Sequence, residues 1–341
     1  MPVSRRTLLA GASAALLAPR GARAATMTDD AGRSVTIPDR VHHVFPAGMP
    51  AAILLYTLAP ERLMGWPGAN PAEACAYLSA ETCSKPELGH LTSRNHRVDL
   101  GSVTARKPDF ILDVGATDGR FATLADTVQK QTGIPYVLLD GRVLSLSTTY
   151  EKLGKLIGRD AEGADFADYC NQTLAVVTNS IAFVTADKRP KVYYARGPNG
   201  LTTGLGGASQ MESIELLARN VAGGTQGGLT EVTADRVRQW EPDVIVATDA
   251  DFAARVGDDP SWAAVKAVRE RRVYRIPRLP FGWLDAPASA NRLLGLWWLG
   301  KLLYPDHFKQ DMRELTRDFY AKFYHVTPSG QQIEQLLAGT G

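Results

Sequence analysis

Asp160-Ala161-Glu162-Gly163-Ala164-Asp165-Phe166-Ala167-Asp168-Tyr169-Cys170-Asn171-Gln172-Thr173-Leu174-Ala175-Val176-Val177-Thr178-Asn179-Ser180-Ile181-Ala182-Phe183-Val184-Thr185-Ala186-Asp187-Lys188 holds no proline, and no glycine after Gly163. Phe166, Cys170, Leu174, Val177, Ile181 and Val184 recur at steps of four, four, three, four and three, which is the stripe of one amphipathic helix. At 1.5 Å per residue a helix of about 25 residues reaches roughly 38 Å, long enough to bridge two lobes.

On either side of this stretch, short apolar runs alternate with helical patterns. Before it, Val41–Phe45, Arg62–Trp66, Phe110–Gly115 and Tyr136–Asp140 read as strands, with helices over Pro50–Leu58 and near Phe121–Thr132. After it, strands are expected at Lys191–Arg196, Val244–Asp249 and Arg272–Pro277, and a helix at Ser209–Leu217. The tail from Asp306 to Phe323 reads as a helix with Phe308, Met312, Leu315 and Phe319 on its apolar side. Such alternation predicts mostly parallel sheets covered by helices. The fold expected is α/β: two Rossmann-like lobes joined by one long α-helix, with an N-terminal lobe over 25–142, connecting helices over 143–188 and a C-terminal lobe over 189–341.

The first residues point to export. Ser4-Arg5-Arg6-Thr7-Leu8-Leu9 sets two arginines before an apolar run to Leu17, and Ala22-Arg23-Ala24 fits a small-x-small cleavage site. The run is too short for a permanent span. Residues 1–24 are therefore expected to be a signal peptide cleaved near Ala24. The arginine pair suggests the twin-arginine route, although ordinary Sec signals also begin with basic residues. The whole chain of 341 residues carries +2; the leader holds Arg5, Arg6, Arg20 and Arg23 and no acid, leaving 34 basic against 36 acidic residues, or −2. The basic residues are spread out, so the composition offers no nucleic-acid footprint. In an exported protein, Cys75 and Cys83 lie close enough in a loop-like stretch to form a disulfide, whereas Cys170 sits on the helical stripe as a buried thiol.

Ordered markers give these patterns a family. Asp30-Ala31-Gly32-Arg33-Ser34-Val35 comes first, then Lys107-Pro108-Asp109-Phe110-Ile111-Leu112-Asp113, echoed by Glu241-Pro242-Asp243-Val244-Ile245-Val246. Pro260-Ser261-Trp262, Arg272-Val273-Tyr274, Pro280-Phe281-Gly282-Trp283 and Ser289-Ala290-Asn291-Arg292 follow. In that order, over about residues 28–305, the chain resembles the periplasmic iron–siderophore and cobalamin binding proteins, the class III periplasmic binding proteins. The resemblance implies a periplasmic, monomeric, substrate-binding component of an ABC importer that hands a metal chelate, foremost an iron–siderophore complex, to a membrane permease and its ATPase. No resident cofactor or metal is implied. The alternatives within the fold are cobalamin or heme, or a molybdate-type oxyanion.

Ligands of open α/β sheets bind beyond the carboxyl ends of the strands. Trp283 and Phe281, on a loop past a strand, offer an aromatic cover for a chelate; the alternative is a Trp packed under the loop. Trp66 precedes a Pro-Gly turn and is a further candidate. Arg196 ends a strand beside Gly197 and offers a fork of donors to oxyanions; Tyr194 alternates with Tyr193 and lies nearer the cleft. Arg94 and His96, in the polar loop Ser93–Arg97, add charge. Trp262, Trp297 and Trp298 are expected in the core. Family members dock to the permease through one acid per lobe; Glu212 or Glu215 fits in the second lobe, while the first-lobe helix Pro50–Leu58 contains no acid. No nucleophile elbow, P-loop, His-Glu-x-x-His or iron–sulfur cysteine cluster is present, so the expected activity is binding without catalysis.

Overall fold

The computed structural model describes residues 24–92 and 98–341. The leader that the sequence predicts, and Arg94 and His96, lie outside these residues apart from Ala24.

The first lobe opens with a hairpin, β1 (Ala24–Thr28) and β2 (Ser34–Pro38), paired antiparallel with Ala24 opposite Pro38. A parallel sheet follows in the order β3 (Val44–Pro46), β4 (Phe110–Gly115), β5 (Tyr136–Asp140). Every residue of Phe110–Val114 is buried, as expected for a strand covered on both faces. Between β3 and β4 run α1 (Met49–Leu58), the short turns α2 (Ala72–Cys75) and α3 (Ala80–Cys83), and α4 (Leu100–Ala105). α1 is apolar all round and buried from Ala51 to Leu58, a central core helix, and Pro60 prevents its continuation. Arg62–Trp66 forms only isolated bridges, Leu63 to Val44 and Trp66 to Glu87, instead of the strand predicted. α5 (Gly119–Thr132) is capped by the Asp118 carboxylate and closed by Gly133 in the left-handed region.

Two helices lead out of the first lobe. α6 (Leu146–Ile157) turns back through Gly158 into α7 (Asp160–Ser180). Gly154 and Gly163 meet where they cross: a Cβ on Gly154 would stand 2.7 Å from the Arg159 carbonyl oxygen, and one on Gly163 2.8 Å from that of Tyr150. The bridging helix thus has 21 residues, about 31 Å, and is shorter than the sequence predicts. Val176, Val177, Thr178, Asn179 and Ser180 are poor helix formers, and the Thr178 hydroxyl bonds back to the Leu174 carbonyl at 2.8 Å. Ile181 is buried beyond the helix end.

The second lobe has a four-stranded parallel sheet among β6 (Lys191–Ala195), β7 (Thr202–Gly204), α8 (Glu212–Leu217), β8 (Arg219–Asn220), β9 (Leu229–Glu231), α9 (Ala234–Trp240), β10 (Val244–Ala247), α10 (Ala250–Arg255), α11 (Lys266–Arg269) and β11 (Val273–Arg275). Its order is β11-β10-β6-β8, with β7 and β9 forming a separate antiparallel pair. α12 (Asn291–Leu303) is almost wholly buried. α13 (Met312–Phe323) and α14 (Gly330–Leu337) then reach back to the first lobe: Tyr77 stacks edge-on to Tyr320 at 5.8 Å, and the Gln332 amide donates to the Ala76 carbonyl at 3.2 Å. One core runs through both lobes by way of α1, α7, α12 and α13.

Candidate functional site

A cavity of about 310 Å³ opens where the carboxyl ends of β6, β10 and β11 face the loop before α2. This is the position at which parallel α/β sheets bind ligands. The second lobe supplies most of the wall, through Tyr194, Arg196, Thr248, Asp249, Arg278, Asp285 and the backbone around Leu279–Gly282. The first lobe supplies Pro71, Glu73 and Ala74. Cys75, the next residue, is bonded to Cys83, so a disulfide fastens this wall, with the two Cα atoms 5.6 Å apart.

Arg196 follows the last residue of β6, and Gly197 turns the chain at φ +76°. Its backbone N–H is held by the Thr202 carbonyl at 2.8 Å, which fixes where the side chain starts. The guanidinium donates to the Tyr194 hydroxyl at 3.0 Å and pairs with the Asp285 carboxylate; Tyr194 in turn donates to the same Asp285 oxygen at 3.1 Å. Alternation along β6 sends Tyr193 the other way, its hydroxyl donating to the Gly200 carbonyl at 2.7 Å. Burial, reinforced by the Asp285 charge, pushes the Tyr194 phenol well above its ordinary range, so it acts as a neutral donor and acceptor. Burial works against the Arg196 cation, but Tyr194 and Asp285 outweigh it and raise its pKa. Arg278 is exposed at the cavity and makes no ion pair with a described residue. Asp249 spends Oδ1 on the Phe252 N–H as the cap of α10.

The sequence-predicted residues divide sharply. Arg196 and Tyr194 come together in the cavity. Trp283, Phe281 and Trp66 do not line it, which corrects the expectation of an aromatic cover. Trp283 is fully buried: its backbone carbonyl lies so close to Gly295 that a Cβ there would be 1.9 Å away, and its indole N–H is 3.4 Å from the Tyr320 hydroxyl. Phe281 is wedged between Trp66 and Tyr324, with ring centroids at 5.8 and 5.7 Å. The Trp66 indole donates to the Thr82 carbonyl at 2.8 Å beneath the disulfide loop. Trp262, Trp297 and Trp298 are buried, as the sequence suggests.

Of the two docking candidates, Glu212 is also corrected. The Glu212 carboxylate turns inward to Arg292 at 2.6 Å, and Glu215 accepts from the Asn220 amide at 3.2 Å and the Gly207 N–H at 3.3 Å. Glu212 is thereby neutralised by an internal partner, whereas Glu215 is half-buried and makes no ion pair with a described residue. Sequence reasoning missed Glu73, Arg278 and Asp285 as individual lining residues. The first two flank features it had noted, the disulfide and the end of β11, whereas Asp285 is marked only by its place in the loop after Pro280.

Among the described residues no group of three or more His, Cys, Asp and Glu is arranged to hold a metal ion, and no helix is long and apolar enough to cross a membrane. The profile of the Periplasmic binding protein family matches residues 78–279. The chain is similar to the molybdate-binding protein MolA of Haemophilus influenzae, 28% identical over 180 residues, or 52% of this chain and 51% of that one. The match thus spans about half the length of that relative. Among solved structures, an ABC transporter solute binding protein from Sulfurospirillum deleyianum shares the fold at a TM-score of 0.83 and 24% identity, covering 91% of this chain and 98% of its own. The Haemophilus influenzae MolA structure bound to molybdate shares it at 0.73 and 22% identity, covering 89% and 99%. With more than half its length matched by the profile, its two α/β lobes and its bridging helix, the chain belongs to the periplasmic binding protein family.

Proposed function

We propose that the protein is the solute-capturing component of an ABC importer and that its solute is a compact, oxygen-rich anion, either a metal oxyanion or a small hydrophilic metal chelate. The observation that carries this reading is the interlobe cavity itself: about 310 Å³, lined by Arg196, Arg278, Thr248 and the carboxylates of Glu73, Asp249 and Asp285, with Tyr194 the one aromatic residue among its described lining. That volume lies at the lower end of the roughly 300–1,000 Å³ typical of small-molecule sites. Aryl siderophores, heme and cobalamin would call for the aromatic cover that Trp283, Phe281 and Trp66 do not provide. Similarity to a protein named for molybdate supports the oxyanion form.

The action is capture without bond making. Arg278 meets the charge of the solute, Arg196, already paired with Asp285, adds hydrogen-bond donors, and α7, with the core that continues through it, limits the lobes to small relative movements. The loaded protein then docks on a membrane permease, where an ATPase partner drives release. Export to the periplasm, with cleavage near Ala24, belongs to the same proposal.

Native mass spectrometry of the protein recovered from its own periplasm, followed by calorimetric titration with molybdate, tungstate and hydrophilic ferric chelates, tests the reading. Micromolar or tighter binding of any of these supports it. Binding confined to heme, cobalamin or aryl siderophores overturns the ligand class.

A further inference from the structure

The acids of the cleft narrow the ligand class beyond its charge, on the basis of the anion-capture reading above. Asp285 is only 7% exposed, yet it lines the cavity. Both of its donors, the Arg196 guanidinium and the Tyr194 hydroxyl, go to Oδ2. Oδ1 receives no hydrogen bond from any described residue, and it is not among the sealed, unpartnered atoms of the structure. A buried carboxylate of a cavity-lining residue, with one oxygen satisfied and no described donor on the other, has an acceptor to spare for a ligand.

The rest of the wall agrees. Glu73 brings a second carboxylate from the first lobe, and Asp249 a third, against the two arginines. Arg196 is already matched by Asp285. A fully deprotonated anion would meet these oxygens without any proton to offer them, and like charges in a partly desolvated cleft repel. An anion carrying an O–H or N–H beside its charge would give its negative oxygens to Arg196 and Arg278 and its donor to Asp285 Oδ1.

We infer that the cleft selects an anion that carries its own hydrogen-bond donor, with Asp285 as the specificity-determining acceptor. Two sources share that chemistry: a protonated oxyanion, and a metal chelate with bound water, hydroxyl or amide donors.

Phosphate and sulfate provide the test, since at neutral pH they match in shape while only phosphate keeps an O–H. The purified full-length protein is titrated calorimetrically, at one pH and ionic strength, with phosphate, sulfate, molybdate and aquated iron(III) citrate. Phosphate, iron(III) citrate or both should bind at least tenfold more tightly than sulfate and molybdate, because a site built around a hydrogen-bonding group rejects the isostere lacking its partner; which of the two binds tells the sources apart. Asp285→Asn, which places an amide donor at the same position, should bring the phosphate-to-sulfate ratio to unity or below. Sulfate or molybdate binding as tightly as the tighter of phosphate and iron(III) citrate in the wild type, or an unchanged preference for that tighter ligand over sulfate in a folded Asp285→Asn protein, overturns the inference while leaving anion capture intact. Absence of binding by all four probes in the wild type overturns anion capture and the inference with it. The wild-type ratio decides on its own if the variant does not fold.

Discussion

Arg292 on α12 donates to Glu212 on α8 at 2.6 Å, and the same Glu212 oxygen accepts the backbone N–H of Val143, from the far end of the first lobe, at 2.9 Å. Arg292 is fully buried and also donates to the Gly141 carbonyl and, at 3.2 Å, to that of Ser289. One ion pair therefore ties both lobes together where the chain leaves the first. Burial pulls the Arg292 pKa down, with Glu212 opposing it, so the cation depends on its partner. Glu212→Gln should cost about 3–5 kcal/mol of unfolding free energy by taking from the buried guanidinium the one carboxylate in contact with it, leaving Asp285 and Asp140 to act only through space. The double change Glu212→Leu with Arg292→Met should cost far less, and a urea-denaturation cycle over the four proteins measures the difference. Equal losses in the single and double variants would show that the bracket is not coupled.

Trp283→Ala is expected to act on stability and not on affinity. The side chain is fully buried and packs where α12 and α13 meet, so truncation should cost about 3–5 kcal/mol. Ligand affinity measured well below the melting transition should stay within about twofold. A selective loss of binding at unchanged stability would put Trp283 back in the cleft.

Much of this architecture can be read from the chain, because period and run length are local properties. The apolar runs at Phe110, Tyr136, Lys191 and Val244 announce buried parallel strands, and the Tyr193–Tyr194 alternation places Arg196 at a strand end. The errors share another cause. Whether Trp283 and Phe281 face a cleft or a core depends on Tyr320 and Tyr324 arriving some 40 residues later and on Gly295 admitting the loop backbone, and Trp66 depends on Phe281, more than 200 residues on. Glu212 looks like an outward acid until Arg292, 80 positions on, is placed beside it. An aromatic or a carboxylate on a loop carries no local mark of what will cover it. Asp285 is legible only in its environment, since its meaning lies in which of its oxygens is left open.

The two cleft arginines should separate binding from stability. Arg278 has no ion pair among the described residues, so Arg278→Gln should weaken anion binding about tenfold with the melting temperature unchanged. Arg196→Gln should weaken binding at least as much and also destabilise, because it strips Asp285 of its cation. Calorimetry and thermal unfolding on the same samples give both readings. Equal stability in the two variants would mean that Arg196 and Asp285 are not coupled.

Replacing Cys75 and Cys83 together by serine opens a loop with a sequence separation of eight. The chain-entropy relation gives about 2.5 kcal/mol for a loop of this size. Because Pro71, Glu73 and Ala74 form the first-lobe wall of the cavity, affinity should fall with stability, and dithiothreitol should reproduce both effects in the wild type. Unchanged affinity in the reduced, folded protein would show that this wall does not contact the ligand.

Asp113 offers a test of the interior that is independent of any ligand. It is 5% exposed on β4, and burial raises its carboxyl from 3.8 to about 6, only partly offset by the Tyr136 hydroxyl donating to it at 3.0 Å. Because the folded pKa lies above the unfolded one, the folded protein holds the proton more tightly. Asp113 therefore contributes most below about pH 3.8, and that contribution is lost as pH rises through about 6. At 1.36 kcal/mol per unit, the loss approaches about 3 kcal/mol. Asp113→Asn stays neutral at every pH and still offers an oxygen to Tyr136. It should match the wild type at pH 4 and exceed it by up to about 3 kcal/mol at pH 7.5, with the gap opening between pH 4 and 6. Urea denaturation at four pH values follows this directly. A gap that does not vary with pH would mean that Asp113 is ionised at no energetic cost in the folded protein, and that water or an opposing charge reaches it there.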